Sequence, residues 1–133
     1  MVSWRRLVGA RLLIVEDDVN LCEILRSLLR LEGAAAVVTC MTGQQAAEMS
    51  GYEEPFDIVV TDLGLPDIPG EVLIRQILAT AARRPHVVVL TGSGADEQAA
   101  ARAAGADVIL TKPVQWSSLL AALSDGRQPP AAA

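Results

Sequence analysis

No apolar run in this sequence approaches the roughly 18 uninterrupted residues that a membrane-spanning helix needs, although 51% of its residues are hydrophobic. A spanning segment is therefore excluded, and the chain is expected to be soluble. The N-terminal stretch "MVSWRRLVGARLLIVEDD" sets arginines ahead of apolar residues, but acid interrupts the apolar run after about five residues, too few for a secretion signal. Export is not expected, and a cytoplasmic location is. Cysteine is scarce: Cys22 and Cys40, without CxxC spacing, support neither a disulfide framework nor a thiolate metal site, and free thiols in a reducing compartment are the simpler expectation. Positive charge is also short, with 11 Lys and Arg against 16 Asp and Glu. The arginines are dispersed in pairs, so this chain alone has no electrostatic reason to bind nucleic acid.

What is present is an alternation. Leu12–Val15, Ala36–Val38, Ile58–Val60, Val87–Leu90 and Val108–Leu110 are apolar runs too short for helices, and most lack polar alternation, the pattern of strands covered on both faces. Between them lie helical patterns. Val19–Leu31 repeats apolar residues at three and four and meets Gly33 as a left-handed stop. Thr42 with Gln45 fits a capping box for a short helix through Met49. A third helix is expected over Glu71–Ala82, a fourth ending at Gly105, and a fifth over Ser117–Leu123. Strand then helix, five times over 133 residues, predicts one α/β domain: a doubly wound, five-stranded parallel sheet with right-handed crossovers. Residues 1–10 read as an extension, 11–124 as the domain, and the Pro-containing 125–133 as a frayed end or linker.

Ligands of such sheets bind beyond the carboxyl ends of the strands. Glu16 and Asp17 follow the first strand, Asp62 ends the third, Thr91 the fourth and Lys112 the fifth. Three acids, a hydroxyl and a lysine thus converge on one edge. Crowded carboxylates repel and are costly to desolvate, so positive charge belongs there, supplied by Lys112 and a divalent cation such as Mg²⁺, which suits carboxylate oxygens. Asp18 reads as the cap of the first helix, Cys22 as a core residue, and His86, at the far end of the fourth strand, as structural.

With "LLIVEDD", "DIVVTDLGLPDIPG", "VVVLTG" and "GADVILTKPV" in this order, the chain resembles the receiver domain of two-component response regulators over residues 11–123. The resemblance implies a flavodoxin-like (βα)5 fold with strand order 2-1-3-4-5. It implies a phosphoryl-accepting switch in which Asp62 takes a phosphoryl group from the histidine of a sensor kinase or phosphotransfer protein. Lys112 and Thr91 then contact the phosphoryl group, and Mg²⁺ is held by Asp17, Asp62, the Gly64 carbonyl and, through water, Glu16. Phosphorylation would change the surface around the fourth helix, fifth strand and fifth helix. The family's Lys–Pro bond, at Lys112 and Pro113 here, is typically cis. No separate enzymatic activity is implied beyond assisting its own phosphorylation and dephosphorylation.

Departures matter as much. The family commonly has Tyr or Phe three residues before the lysine, where this chain has Ile109, so the aromatic gate is absent. Gly64 and Ser93, both small, flank the expected phosphoryl position. The fifth helix lacks the arginines that pair across one dimerising subfamily, whereas "DLGLPD" and "KPV" are similar to receivers of hybrid sensor kinases. Two other readings stand beside this one. A degenerate receiver could serve as an unphosphorylated docking module, which the intact acids, threonine and lysine oppose. A haloacid-dehalogenase-type hydrolase would need a second Asp where Gly64 stands.

Overall fold

A computed structural model describes residues 6–52, 54–92 and 94–125. Five strands and five helices alternate: β1 (Arg11–Val15), α1 (Val19–Leu31), β2 (Ala36–Cys40), α2 (Gly43–Tyr52), β3 (Ile58–Thr61), α3 (Gly70–Thr80), β4 (His86–Thr91), α4 (Ala95–Ala104), β5 (Val108–Thr111) and α5 (Trp116–Ser124). All strand pairs are parallel, in the order β2-β1-β3-β4-β5. The expected doubly wound sheet is therefore the fold, with β1 and β3 side by side at its centre.

The two faces of the sheet are covered by different helices. Leu12, Ile14, Ile58, Val60 and Val88 pack with Leu25 and Leu29 of α1 and with Leu119 and Leu123 of α5. Leu13, Val15 and Val59 face Ala46 of α2 and Leu73 and Ile77 of α3. Val87 and Val89 meet α3 and α4 through Ile74, Ala101 and Ala104, with Ile109 packed against them. Burying a large aliphatic side chain contributes roughly 1.5–3 kcal/mol, so the unalternated apolar strands hold the two helical layers together.

Helix ends follow the local signals with small shifts. Asp18 caps α1, its Oδ1 accepting from the N–H groups of Asn20 (2.9 Å) and Leu21 (3.2 Å). Gly33 (φ 95°) and Gly105 (φ 122°) turn the chain after α1 and α4 in the left-handed region. Thr42 Oγ1 accepts from Gln45 N–H (3.2 Å), as in a capping box, but Gln45 Oε1 reaches back to Met41 N–H (3.1 Å), not to Thr42. Helix α2 runs on to Tyr52, past Met49 where its apolar pattern ends. Helix α3 covers Gly70–Thr80 and stops short of Ala82, because Ala81 turns extended (ψ 130°). Strand β2 extends to Cys40; its Thr39 hydroxyl accepts from the Arg26 guanidinium (2.7 Å), a use for a polar residue in an otherwise apolar run.

Within the stretch set apart as an extension, Leu7 and Ala10 are fully buried. Leu7 N–H donates to Glu32 O and Gly9 N–H to Gly33 O, tying this turn beneath the end of α1. Of the expected tail, 126–133 lie outside the described residues. Among the described residues no helix is long and apolar enough to cross a membrane.

Candidate functional site

Parallel pairing carries the sequence-separated polar residues to one edge. Val15 pairs with Cys40 and with Thr61, and Thr91 pairs with Thr111. Glu16, Asp62 and Lys112, each one residue beyond those positions, therefore leave the sheet at the same end. Glu16 N–H donates to Cys40 O (3.0 Å), Asp62 N–H to Val15 O (3.1 Å) and Lys112 N–H to Thr91 O (2.8 Å), which extends the ladder by one step and fixes each side chain's origin.

Lys112 is the hub. Its Nζ donates to Glu16 Oε1 at 2.7 Å and to Asp62 Oδ2 at 3.0 Å. Asp62 Oδ1 accepts from Gly64 N–H (3.0 Å), and Glu16 Oε2 from Asp18 N–H (3.3 Å). Glu16, Asp17 and Asp62 each offer an oxygen within 4.8 Å of the others. Two carboxylates thus hold one ammonium, and a third, Asp17, lies beside them. Burial raises the Glu16 carboxyl above its ordinary value and outweighs the lowering by Lys112, with Asp17 adding to the rise. Burial would lower the Lys112 ammonium, but its bonds to Glu16 and Asp62 outweigh that and hold it above 10.5. Accessibility separates the acids: the Glu16 side chain is 4% exposed, that of Asp62 14%, and Asp17 lies open at the surface. Of the two carboxylates bonded to Lys112, Asp62 is the one a second molecule can reach.

The remaining positions fall as follows. Thr91 ends β4 and is fully buried. The Lys112–Pro113 peptide is cis. Ser93 lies outside the described residues. His86 is at the opposite end of β4, its Nε2 2.9 Å from Ala122 O and its Nδ1 3.6 Å from Asp107. Cys22 is buried, and its thiol donates to Glu16 O (3.3 Å) from below the acidic loop. Ile109 packs into the layer under α4, where an aliphatic side chain is at home. Beside Lys112 an apolar groove of about 590 Å³ runs between α1 and α5, lined by Leu21, Ile24, Leu28, Pro113, Trp116 and Leu119.

One residue at this edge escaped the sequence reading. Asp67, in the loop after β3, accepts from the N–H groups of Gly43 (Oδ1, 2.9 Å) and Gln44 (Oδ2, 2.9 Å) at the start of α2. Those two bonds lower its pKa below the ordinary 3.8. The only hint in the sequence was an acid between two prolines, "PDIP".

The response regulator receiver domain family matches residues 12–124. The chain belongs to that family. Response regulator protein PmrA of Pseudomonas aeruginosa is 33% identical over 111 residues, 84% of this chain and 49% of that protein. Response regulator MprA of Mycobacterium ulcerans is 33% identical over 114 residues, 86% of this chain and 48% of that protein. The chain thus spans about half the length of the curated relatives it matches. Among solved structures, a response regulator from Burkholderia pseudomallei with a phosphorylated aspartic acid, calcium ion and citrate is 28% identical with a TM-score of 0.78, covering 86% of this chain and 66% of that one. The BeF3-activated DrrB receiver domain is 32% identical with a TM-score of 0.76, covering 89% and 97%. The receiver domain of the histidine kinase CKI1 from Arabidopsis thaliana, complexed with Mg²⁺, is 20% identical with a TM-score of 0.75 over 90% and 94%, and shares the fold.

Proposed function

We propose that this receiver domain is a phosphoryl-accepting switch whose acceptor is Asp62. The observation that carries the reading is the single ammonium of Lys112 held between a buried acid and an accessible one. With all groups ionised, the three carboxylates exceed the one ammonium by two charges, and their oxygens lie within 4.8 Å. That donor set suits a hard divalent cation such as Mg²⁺, with Asp17, Asp62 and the Gly64 carbonyl as direct ligands and Glu16 acting through water. When bound, the cation neutralises charge on the transferring phosphoryl oxygens.

The chain's own residues do the rest. An ionised Asp62 oxygen attacks the phosphorus of a phosphohistidine. The P–N bond breaks, its electron pair stays on the imidazole nitrogen, and that nitrogen takes a proton from solvent. Lys112 stabilises charge on the equatorial oxygens, and alignment supplies most of the remainder. In the later discharge, water attacks the same phosphorus, the bond from the Asp62 oxygen to phosphorus breaks, and inorganic phosphate, the free carboxylate and a proton to solvent are released. Thr91, at the end of β4, is the hydroxyl that follows the new charge and biases the β4–α4 loop toward a changed α4-β5-α5 surface.

The donor is the histidine of a sensor kinase or phosphotransfer protein, and a cytoplasmic setting suits such a partner and the free thiols. Its contact surface must border Asp62, and the apolar groove beside Lys112, with Ile24 55% exposed on its rim, offers a seat for an amphipathic helix of that donor. The domain takes in Leu7 and Ala10, which join its core, and runs to residue 124, with 125–133 as linker or terminus. Incubation with acetyl phosphate and Mg²⁺ tests the reading: intact mass should rise by about 80 Da and should not rise in Asp62→Ala. A wild type that stays unmodified, while a known receiver in parallel is modified, supports instead a docking module that never carries phosphate.

A further inference from the structure

We propose that Asp67 is a positioning residue for the phosphoacceptor loop, latching the segment after Asp62 onto the start of α2 and so holding the Gly64 carbonyl in place for the cation. The inference rests on the reading of Asp62 and Gly64 given above.

The loop between β3 and α3 carries the acceptor at one end and is pinned at several points. Leu63 is buried toward α3 and α4, and Leu65 toward α2 and α3, so the two residues flanking Gly64 are drawn into different core clusters. Gly70 closes on Leu63 so tightly that a Cβ there would come within 2.7 Å of the Leu63 Cα. These anchors fix the two ends. The middle, Pro66–Pro69, is exposed or partly so, with only the Ile68 side chain packed against the core beside α2 and α3. It is held by Asp67, whose two oxygens take the Gly43 and Gln44 N–H groups at 2.9 Å each. Gly43 is buried under Ile68, and a Cβ on it would collide with the Ile68 side chain. The carboxylate and the missing side chain thus form one close joint between the β2–α2 and β3–α3 loops.

The joint joins the two halves of the cation site. The β2–α2 loop begins at Cys40, whose carbonyl accepts the Glu16 N–H. Releasing Asp67 leaves Gly64 held by its buried neighbours Leu63 and Leu65 alone and so loosens, rather than frees, its carbonyl relative to Glu16 and Asp17 without touching either acid. If Asp67 were a helix cap and nothing more, its loss would lower stability alone.

The test compares Asp67→Asn and Gly43→Ala, which open the joint from opposite sides, with Asp107→Asn, a loss of hydrogen bonds at the far end of the sheet. Mg²⁺ affinity is measured by calorimetry, and phosphorylation by acetyl phosphate is followed across Mg²⁺ concentrations. Both joint variants should bind Mg²⁺ roughly tenfold more weakly, the low end for groups that orient a ligand from outside. Their phosphorylation should slow at low Mg²⁺ and recover at saturating Mg²⁺, while Asp107→Asn keeps wild-type affinity. Joint variants that lose thermal stability but bind Mg²⁺ as wild type does overturn the proposal. So does equal weakening in Asp107→Asn. The calorimetric result stands apart from the function reading, which fails separately if Asp62→Ala still gains the phosphoryl group.

Discussion

Replacing Asp17 by Asn should move stability and cation affinity in opposite directions. Asp17 has oxygens within 4.8 Å of those of Glu16 and Asp62. Two unit charges at that separation repel by about 0.9 kcal/mol in bulk water and about 3.5 kcal/mol at an effective dielectric constant of 20. Asp17 is exposed, so the lower figure is nearer for each of its two pairs, and attraction to Lys112 cancels part of the sum. Removing its charge should therefore stabilise the cation-free protein by about 1 kcal/mol, or roughly 3–5 °C in a domain of this size. The same change removes a charged ligand and should weaken Mg²⁺ binding about tenfold or more. At 100 times the wild-type dissociation constant, Mg²⁺ adds about 2.7 kcal/mol to the wild type and about 1.4 kcal/mol to a variant that binds tenfold more weakly, a difference that exceeds the variant's head start. Thermal melts in EDTA and across a Mg²⁺ series should show the variant ahead without the cation and the wild type ahead at high Mg²⁺. A variant less stable in EDTA, or two curves that never cross, would refute the electrostatic account of this site.

Asp107 receives both guanidinium nitrogens of Arg84 (2.9 and 3.2 Å) and the Val87 N–H (2.8 Å). Burial would raise its carboxyl, but these partners outweigh that and lower it below the ordinary 3.8. Its stabilisation is thus complete above pH 3.8 and lost as pH falls through the lowered value. Asp107→Asn should lose about 1.5–3 kcal/mol at neutral pH, read by urea unfolding, with the gap to wild type closing in acid. Burial pushes the Cys40 thiol up to about 11 and raises Cys22 as well, so iodoacetamide at pH 8 should label both slowly in native protein and fast in urea. Gly64 is exposed, has no positive φ, and a Cβ there would meet nothing closer than Asp62 Oδ1 at 3.8 Å. Gly64→Met should therefore fold normally and slow decay of the phosphorylated form by shielding it from water, as followed by phosphate release. Ile109→Ala should cost about 1–3 kcal/mol in packing under α4 and leave phosphorylation by acetyl phosphate intact.

The fold was legible because the strands are built on short apolar runs and α1 and α4 meet glycine stops, so α1 kept the bounds Val19–Leu31 that its periodicity marked. The acids, Thr91 and Lys112 were legible as strand-end residues, since parallel register sends every strand's last residue to one edge. Boundaries failed where tertiary contact overrode pattern. Leu7 joins the core because Glu32 and Gly33 accept the N–H groups of its turn. Asp67 could not be read at all. Its partners lie 23 and 24 residues earlier in the chain, and no local pattern reports a contact between two loops.

The identity of the acceptor is the central claim, and locating the phosphoryl group tests it most directly. Protein phosphorylated by acetyl phosphate with Mg²⁺ is treated with borohydride, which reduces an acyl phosphate to the alcohol, and its peptides are sequenced by mass spectrometry. The account predicts homoserine in place of Asp62 and unchanged Glu16 and Asp17. Reduction at either of those acids instead, or phosphate found on His86, would contradict it.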